Sequence, residues 1–191
     1  MGESRLIIVD SDATWRKHVK SILTKVGFLA IGEAEDGLTA LKLVRSRQPD
    51  LVVMDAILPG MNGYEVARII HEDKLAPVIL LASPTQQNLM DRAKAARAFA
   101  LLLKSDLEFN LISASELALA NFQEMIRLEK QVKDLQETLE TRKTLEKAKG
   151  ILMENLGISE GEAFKRIQRQ SMNKRVSMRA VAEALIMAHS V

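Results

Sequence analysis

Three places in the first part of the chain put charge at the end of a short apolar run. Asp10 and Asp12 follow Leu6-Ile7-Ile8-Val9, with Ser11 between them. Asp55 follows Leu51-Val52-Val53-Met54 and opens the stretch Asp55-Ala56-Ile57-Leu58-Pro59-Gly60-Met61-Asn62-Gly63. Lys104 follows Phe99-Ala100-Leu101-Leu102-Leu103. If these runs are parallel strands, their carboxyl ends lie side by side, where open α/β sheets bind ligands. Asp10 and Asp55 then meet on adjacent strands, with Lys104 near. Clustered carboxylates can hold a hard cation such as Mg²⁺. A cation and a lysine together can neutralise a phosphoryl group passing to one carboxylate. The plainer alternative is that each acid caps the helix that follows it.

A second chemical signal lies near the other end. No acid occurs between Ala163 and Ala182, yet Lys165, Arg166, Arg169, Lys174, Arg175 and Arg179 fall there. Such an imbalance marks a candidate surface for a polyanion, or else a solvated basic face with no partner. The formal charge of +2 conceals it. Residues 1–120 carry 14 basic and 15 acidic side chains, and residues 121–191 carry 13 and 10, so the positive excess sits in the second part.

The elements that position these groups follow from periodicity. Apolar runs at Leu6–Val9, Phe28–Ile31, Leu51–Met54, Val78–Leu81 and Phe99–Leu103 read as strands. Helical spacing fills the intervals: Asp12–Val26, Leu38–Val44, Tyr64–Ile70 and Gln86–Ala96. Strict β/α alternation predicts a doubly wound, five-stranded parallel sheet with helices on both faces. The pattern then changes. Met125, Leu128, Val132, Leu135 and Leu139 are spaced as the a/d seam of a coiled coil, which ends where Arg142 takes the next d position. The alternative is one long surface helix packed on its own domain. Three further helices are expected: one through Leu145, Ile151 and Leu156, one opened by the capping box Ser159-Glu160-Gly161-Glu162, and one capped by Ser177.

Composition narrows the function. With 47% hydrophobic and 27% charged residues, the chain reads as a soluble globular protein. The absence of cysteine excludes disulfides, thiol catalysis and cysteine-based zinc sites, and fits a reducing cytoplasm. Aromatics are only 4%, which argues against a sheet that stacks nucleobases on a row of rings. The segment Met1-Gly2-Glu3-Ser4-Arg5 leads into too short an apolar run for a signal peptide. No run approaches the ~20 apolar residues that cross a bilayer. An enzyme is not expected: His18, His71 and His189 are scattered, and no nucleophile–base pair or glycine-rich nucleotide loop is seen.

Residues 4–120, and above all Asp55 with Leu58-Pro59-Gly60-Met61-Asn62-Gly63, resemble the receiver domain of two-component response regulators. Glu33-Ala34-Glu35-Asp36-Gly37 adds to the likeness. The resemblance implies a flavodoxin-like fold, Asp55 as phosphoacceptor, Asp10 and Asp55 at an Mg²⁺ site, Lys104 as the phosphate-contacting lysine, and a histidine kinase as partner. Four positions depart from the family. Ser11 replaces a second metal-ligating acid, Ala82 the phosphoryl-binding Ser/Thr, Ser105 the proline after the lysine, and Leu101 the switch aromatic. These changes predict weak metal binding and a damaged phosphate readout.

Ala148-Lys149-Gly150-Ile151-Leu152-Met153, with Gly157, Glu162-Ala163-Phe164, Ile167 and Val181-Ala182, resembles the ANTAR domain, an RNA-binding antiterminator module. On this reading residues 1–120 are a receiver-like domain and 121–186 an ANTAR domain, made of a coiled-coil helix over 121–144 and a three-helix bundle over 145–186. The small residues Ala148 and Gly150 would let helices pack closely while Lys149 projects outward. The resemblance implies a homodimer that binds hairpins in nascent transcripts. Arg142, Lys147, Lys149, Arg166, Arg169, Lys174 and Arg175 are the candidate RNA contacts. Control would come from Asp55 or from a partner protein that sequesters the RNA face. Two alternatives stay open: a DNA-binding regulator, with Asn173 to Val176 as the turn of a helix-turn-helix, and a protein-interaction module that touches no nucleic acid.

Overall fold

The computed structural model describes residues 4–85 and 87–189. The readings made on Met1 to Glu3 and on Gln86 lie outside the described residues. The chain divides into two compact units, Met1–Ile126 and Arg127–Val191.

The first unit alternates β1 (Ser4–Val9), α1 (Ala13–Thr24), β2 (Phe28–Ala34), α2 (Gly37–Arg47), β3 (Leu51–Asp55), α3 (Gly63–Glu72), β4 (Val78–Ala82), α4 (Leu89–Ala95) and β5 (Ala100–Leu103). A short 3₁₀ turn, Lys104–Asp106, leads into α5 (Leu107–Leu156). The five strands form one parallel sheet in the order β2-β1-β3-β4-β5. Successive side chains of a strand point to opposite faces, and two cores result. Ile7, Val9, Val52, Met54, Val78 and Leu80 pack with side chains of α2 and α3. Leu6, Ile8, Leu51, Val53, Ile79 and Leu81 pack with side chains of α1 and the start of α5. Both faces are covered, so the central strands read as continuous apolar runs.

Several boundaries differ from the sequence reading, each for a local reason. β2 runs on through Gly32 and Glu33 to Ala34, because an irregularity opposite Leu6 and Ile7 re-registers it beyond Ile31. α1 stops at Thr24, so Val26 leaves the buried stripe and stands exposed. α4 begins only at Leu89, because Asn88 takes a left-handed backbone conformation. Ser105 follows Lys104 with no cis peptide among the described residues.

In the second unit, the end of α5 packs with α6 (Glu160–Lys174) and α7 (Met178–His189) around Ala148, Leu152, Ala163, Ile167, Val181 and Ala182. The helix expected to begin near Leu145 is not separate. It is the end of α5, which runs unbroken for 50 residues, with no proline to interrupt it and its single glycine, Gly150, tolerated inside the helix. The Ser159 capping box forms as expected: the Ser159 hydroxyl accepts from the Glu162 N–H, and the Glu162 carboxylate accepts from the Ser159 N–H. No helix among the described residues is long and apolar enough to cross a membrane.

Candidate functional site

The acids converge as the topology requires. β1 pairs with β3, with Val9 opposite Met54, so Asp10 and Asp55 leave neighbouring strands together. Both are buried. Lys104, one residue beyond β5, reaches into the gap between them. Its Nζ donates to Asp10 Oδ2 at 2.7 Å and to Asp55 Oδ2 at 2.6 Å. Burial by itself would lower the pKa of this ammonium, but the hydrogen bonds and charges of the two aspartates outweigh burial and hold it above its ordinary value. Lys104 therefore stays cationic across the physiological range.

The other two carboxylate oxygens are also engaged. Asp10 Oδ1 accepts the Asp12 N–H at 2.9 Å, and Asp55 Oδ1 accepts the Ile57 N–H at 2.9 Å. Asp12 caps α1 by accepting the Thr14 N–H, and its exposed carboxylate stays within electrostatic reach of Lys104. The loop after Asp55 closes tightly on its own strand. Asn62 caps α3, and the Gly63 N–H donates to the Ala56 carbonyl. A Cβ on Gly63 would overlap the Asp55 carbonyl, so only glycine fits there.

Three of the departing positions lie where the sequence placed them. Ser11 is exposed and offers the pocket no charge. Ala82 ends β4 fully buried, bringing a methyl group in place of a hydroxyl. Leu101 is half-buried against the core that α2 and α3 share.

Two residues near the pocket escaped the sequence reading. Arg16 is buried, donating to the Asp10 carbonyl at 2.7 Å and to Glu35 at 2.8 Å. Its spacing to Val19 and Leu23 put a charge on the buried stripe of α1, and that was the available signal. Trp15 was legible only as an apolar helix residue; its ring centroid lies 5.0 Å from Lys104 Nζ.

In the second unit, Arg166 and Arg169 are exposed on α6. With Lys165, Gln170, Asn173, Ile158 and the acid Glu162 they line an open groove of about 580 Å³. Lys174 and Arg175 are exposed at the end of α6, and Arg142 and Lys147 are exposed on α5. Lys149 departs from expectation: it is 7% exposed and bridges Glu146 at 2.8 Å and Glu160 at 2.6 Å. It holds α5 to the start of α6 instead of projecting outward. Gly150 does not mark a close approach either, since a Cβ there would meet open space. Ser171 donates to the Val176 carbonyl at 2.6 Å and so closes the turn after α6. Along α5, Leu128, Val132, Leu135 and Leu139 are exposed, between 47% and 69%, and Met125 is half-buried.

A family model for the response regulator receiver domain matches residues 6–116, and one for the ANTAR domain matches residues 133–186. The transcriptional regulatory protein PdtaR of Mycobacterium tuberculosis is 40% identical over 182 residues, covering 95% of this chain and 89% of that one. The chain belongs to the response regulators that join a receiver to an ANTAR domain. They are an RNA-binding, regulatory kind of protein. Among solved structures, a LuxR-family two-component response regulator from Aurantimonas is 30% identical, with a TM-score of 0.57 over 63% of this chain and 87% of that one. The signal receiver domain of an HD-domain protein from Pseudomonas fluorescens is 26% identical, with a TM-score of 0.58 over 64% of this chain and 98% of that one.

Receiver domains typically bind Mg²⁺, and the residues of this receiver fit that ion poorly. Among the described residues no group of three or more His, Cys, Asp or Glu side chains could hold a metal. Each oxygen of the two buried acids already accepts one hydrogen bond, from a backbone N–H or from Lys104, so a cation would have to compete with the Lys104 ammonium for both carboxylates. Hard divalent cations need several oxygen ligands at close range.

Proposed function

We propose that this response regulator is a cytoplasmic, homodimeric antiterminator that binds hairpins in nascent transcripts through α6, and that it is not an enzyme. One observation carries the reading. The stretch from Ala163 to Ala182 has no acid, and its exposed Lys165, Arg166 and Arg169 line one groove inside the ANTAR domain, where Glu162 is the one acid among three cations. Cations of this kind contact phosphates and set register, while sequence is read from unpaired loop bases. Lys174 and Arg175 at the end of α6 add further exposed cations, and Arg142 and Lys147, each lining a separate groove, are further candidate contacts. The stripe of half-buried Met125 and exposed Leu128, Val132, Leu135 and Leu139 is the dimer seam. A dimer that holds one hairpin per subunit gains affinity by linking the two events.

Asp55 is the phosphoacceptor in this reading and Lys104 its phosphate contact, with a histidine kinase as donor. A phosphoryl group at Asp55 adds negative charge beside Lys104 and biases the receiver between two states. Ala82 and Leu101 lack the groups that would read that charge, which favours a sequestering protein as the main control. Mg²⁺ at Asp10 and Asp55 is bound weakly.

Salt-dependent binding to a two-hairpin RNA tests the RNA face. Arg166→Ala should weaken binding and reduce the slope of log K against log salt by roughly one. Lys149→Gln should leave the slope unchanged wherever the bundle remains folded. Tight binding to duplex DNA without hairpin binding would point to a DNA-binding regulator. No binding to either at low salt would point to a protein-interaction module.

A further inference from the structure

Lys104 is gripped from two sides. Asp10 and Asp55 take two of its N–H donors at 2.7 and 2.6 Å. The indole of Trp15, half-buried in the first turn of α1, presents its face to the same ammonium at 5.0 Å. An aromatic face attracts a cation through its quadrupole, and more strongly where water is excluded. The two carboxylates and the ring all meet the ammonium, and the exposed Asp12 carboxylate lies within electrostatic reach of it. The ammonium sits between the two carboxylates, where a divalent ion held by both would sit.

We propose that Trp15 is a positioning residue that holds the Lys104 ammonium in the place of a divalent cation, so that the resting acidic pocket carries its own counter-ion and binds Mg²⁺ only weakly. An incoming Mg²⁺ must break two short charged hydrogen bonds and pull the ammonium from the indole face. It gains only two carboxylates in return, since Ser11 supplies no anionic oxygen. The inference concerns the pocket alone and does not rest on the RNA-binding reading.

The test is Mg²⁺ binding to the full chain, measured by calorimetry at constant ionic strength. Trp15 is the single tryptophan, so its fluorescence in the wild type reads the pocket directly. The wild type should bind Mg²⁺ only weakly, saturating the heat and the fluorescence change only at high Mg²⁺ concentration. Lys104→Met frees two carboxylate oxygens and should create a saturable one-to-one Mg²⁺ site that quenches or brightens Trp15. Trp15→Leu keeps the ion triad but removes the ring face, and should bind Mg²⁺ about tenfold more tightly than the wild type. Trp15→Phe restores a face and should return most of the way to wild-type behaviour. A purely structural role for Trp15 would lower the melting temperature without separating Leu from Phe in Mg²⁺ affinity. Wild-type binding as tight as that of Lys104→Met would overturn the proposal. If Lys104→Met does not fold, the Trp15→Leu and Trp15→Phe pair decides, and equal affinities of these two and the wild type would overturn it.

Discussion

Ile167→Ala should unfold the small bundle and leave the receiver standing. Ile167 is fully buried and, with Leu152 and Val181, is one of three buried core residues larger than alanine among the six that α5, α6 and α7 share. Truncation removes three carbons from a site with nothing to refill it. At about 0.8 kcal/mol per buried methylene, the transfer loss is roughly 2.4 kcal/mol. The residual cavity raises the usual range for such a change to about 2–5 kcal/mol. A core of this size supplies only about 3–5 kcal/mol in total, so the substitution consumes most of the bundle's stability. Far-UV circular dichroism of the full chain should show an early transition that loses the 15 helical residues of α6 and the 12 of α7. The later transition of the parallel sheet should keep its midpoint. Ile167→Val, which removes one methyl group, should cost only about 0.5–1.5 kcal/mol and retain RNA binding. The reasoning fails if Ile167→Ala melts as the wild type does, or if both transitions move by the same amount. The first result would mean that the buried contact carries little energy, and the second that the two cores unfold as one.

Leu135→Lys puts a charge into the exposed α5 stripe and should give monomers by sedimentation, with a loss of about 10²-fold in affinity for a two-hairpin RNA and little loss for a single hairpin. Gly63→Ala drives a Cβ against the Asp55 carbonyl and should lower the receiver's stability by roughly 1–3 kcal/mol in urea; an unchanged midpoint would show that the loop yields freely. Glu162 has its carboxyl held below the ordinary carboxylate range, first by the Ser159 hydroxyl and then by the Ser159 N–H. Its contribution to α6 is therefore present above the unfolded value of about 4.3 and is lost as the pH falls through the lower folded value. The bundle should melt earlier in that acid window, and Ser159→Ala, which keeps the N–H but removes the hydroxyl, should reduce the pH dependence while costing about 1 kcal/mol at neutral pH.

The alternating apolar runs determined the doubly wound α/β fold, because a strand buried on both faces and a helix buried on one leave different periods in the sequence. They also placed Asp10, Asp55 and Lys104 at strand ends, and strand adjacency then followed from the doubly wound order. What periodicity could not supply was the partner of each charge. Lys149 and Arg166 look alike in sequence, yet one is buried between Glu146 and Glu160 and the other is exposed on α6. Arg16 and Trp15 read as ordinary α1 residues until the sheet brought Asp10, Glu35 and Lys104 to them.

The long helix shows the division most plainly. Leu107, Leu111 and Ala118 share the three-and-four spacing that continues through Met125, Leu128, Val132, Leu135 and Leu139. The sequence determined one apolar stripe, but it led to a separate helix from Leu145 where the fold has one unbroken helix. Only the tertiary structure decided that Leu107, Leu111 and Ala118 are buried with the sheet while Leu128 to Leu139 are left exposed. Spacing states which face of a helix is apolar. What covers that face depends on where the chain brings its other elements, and that is a property of the fold.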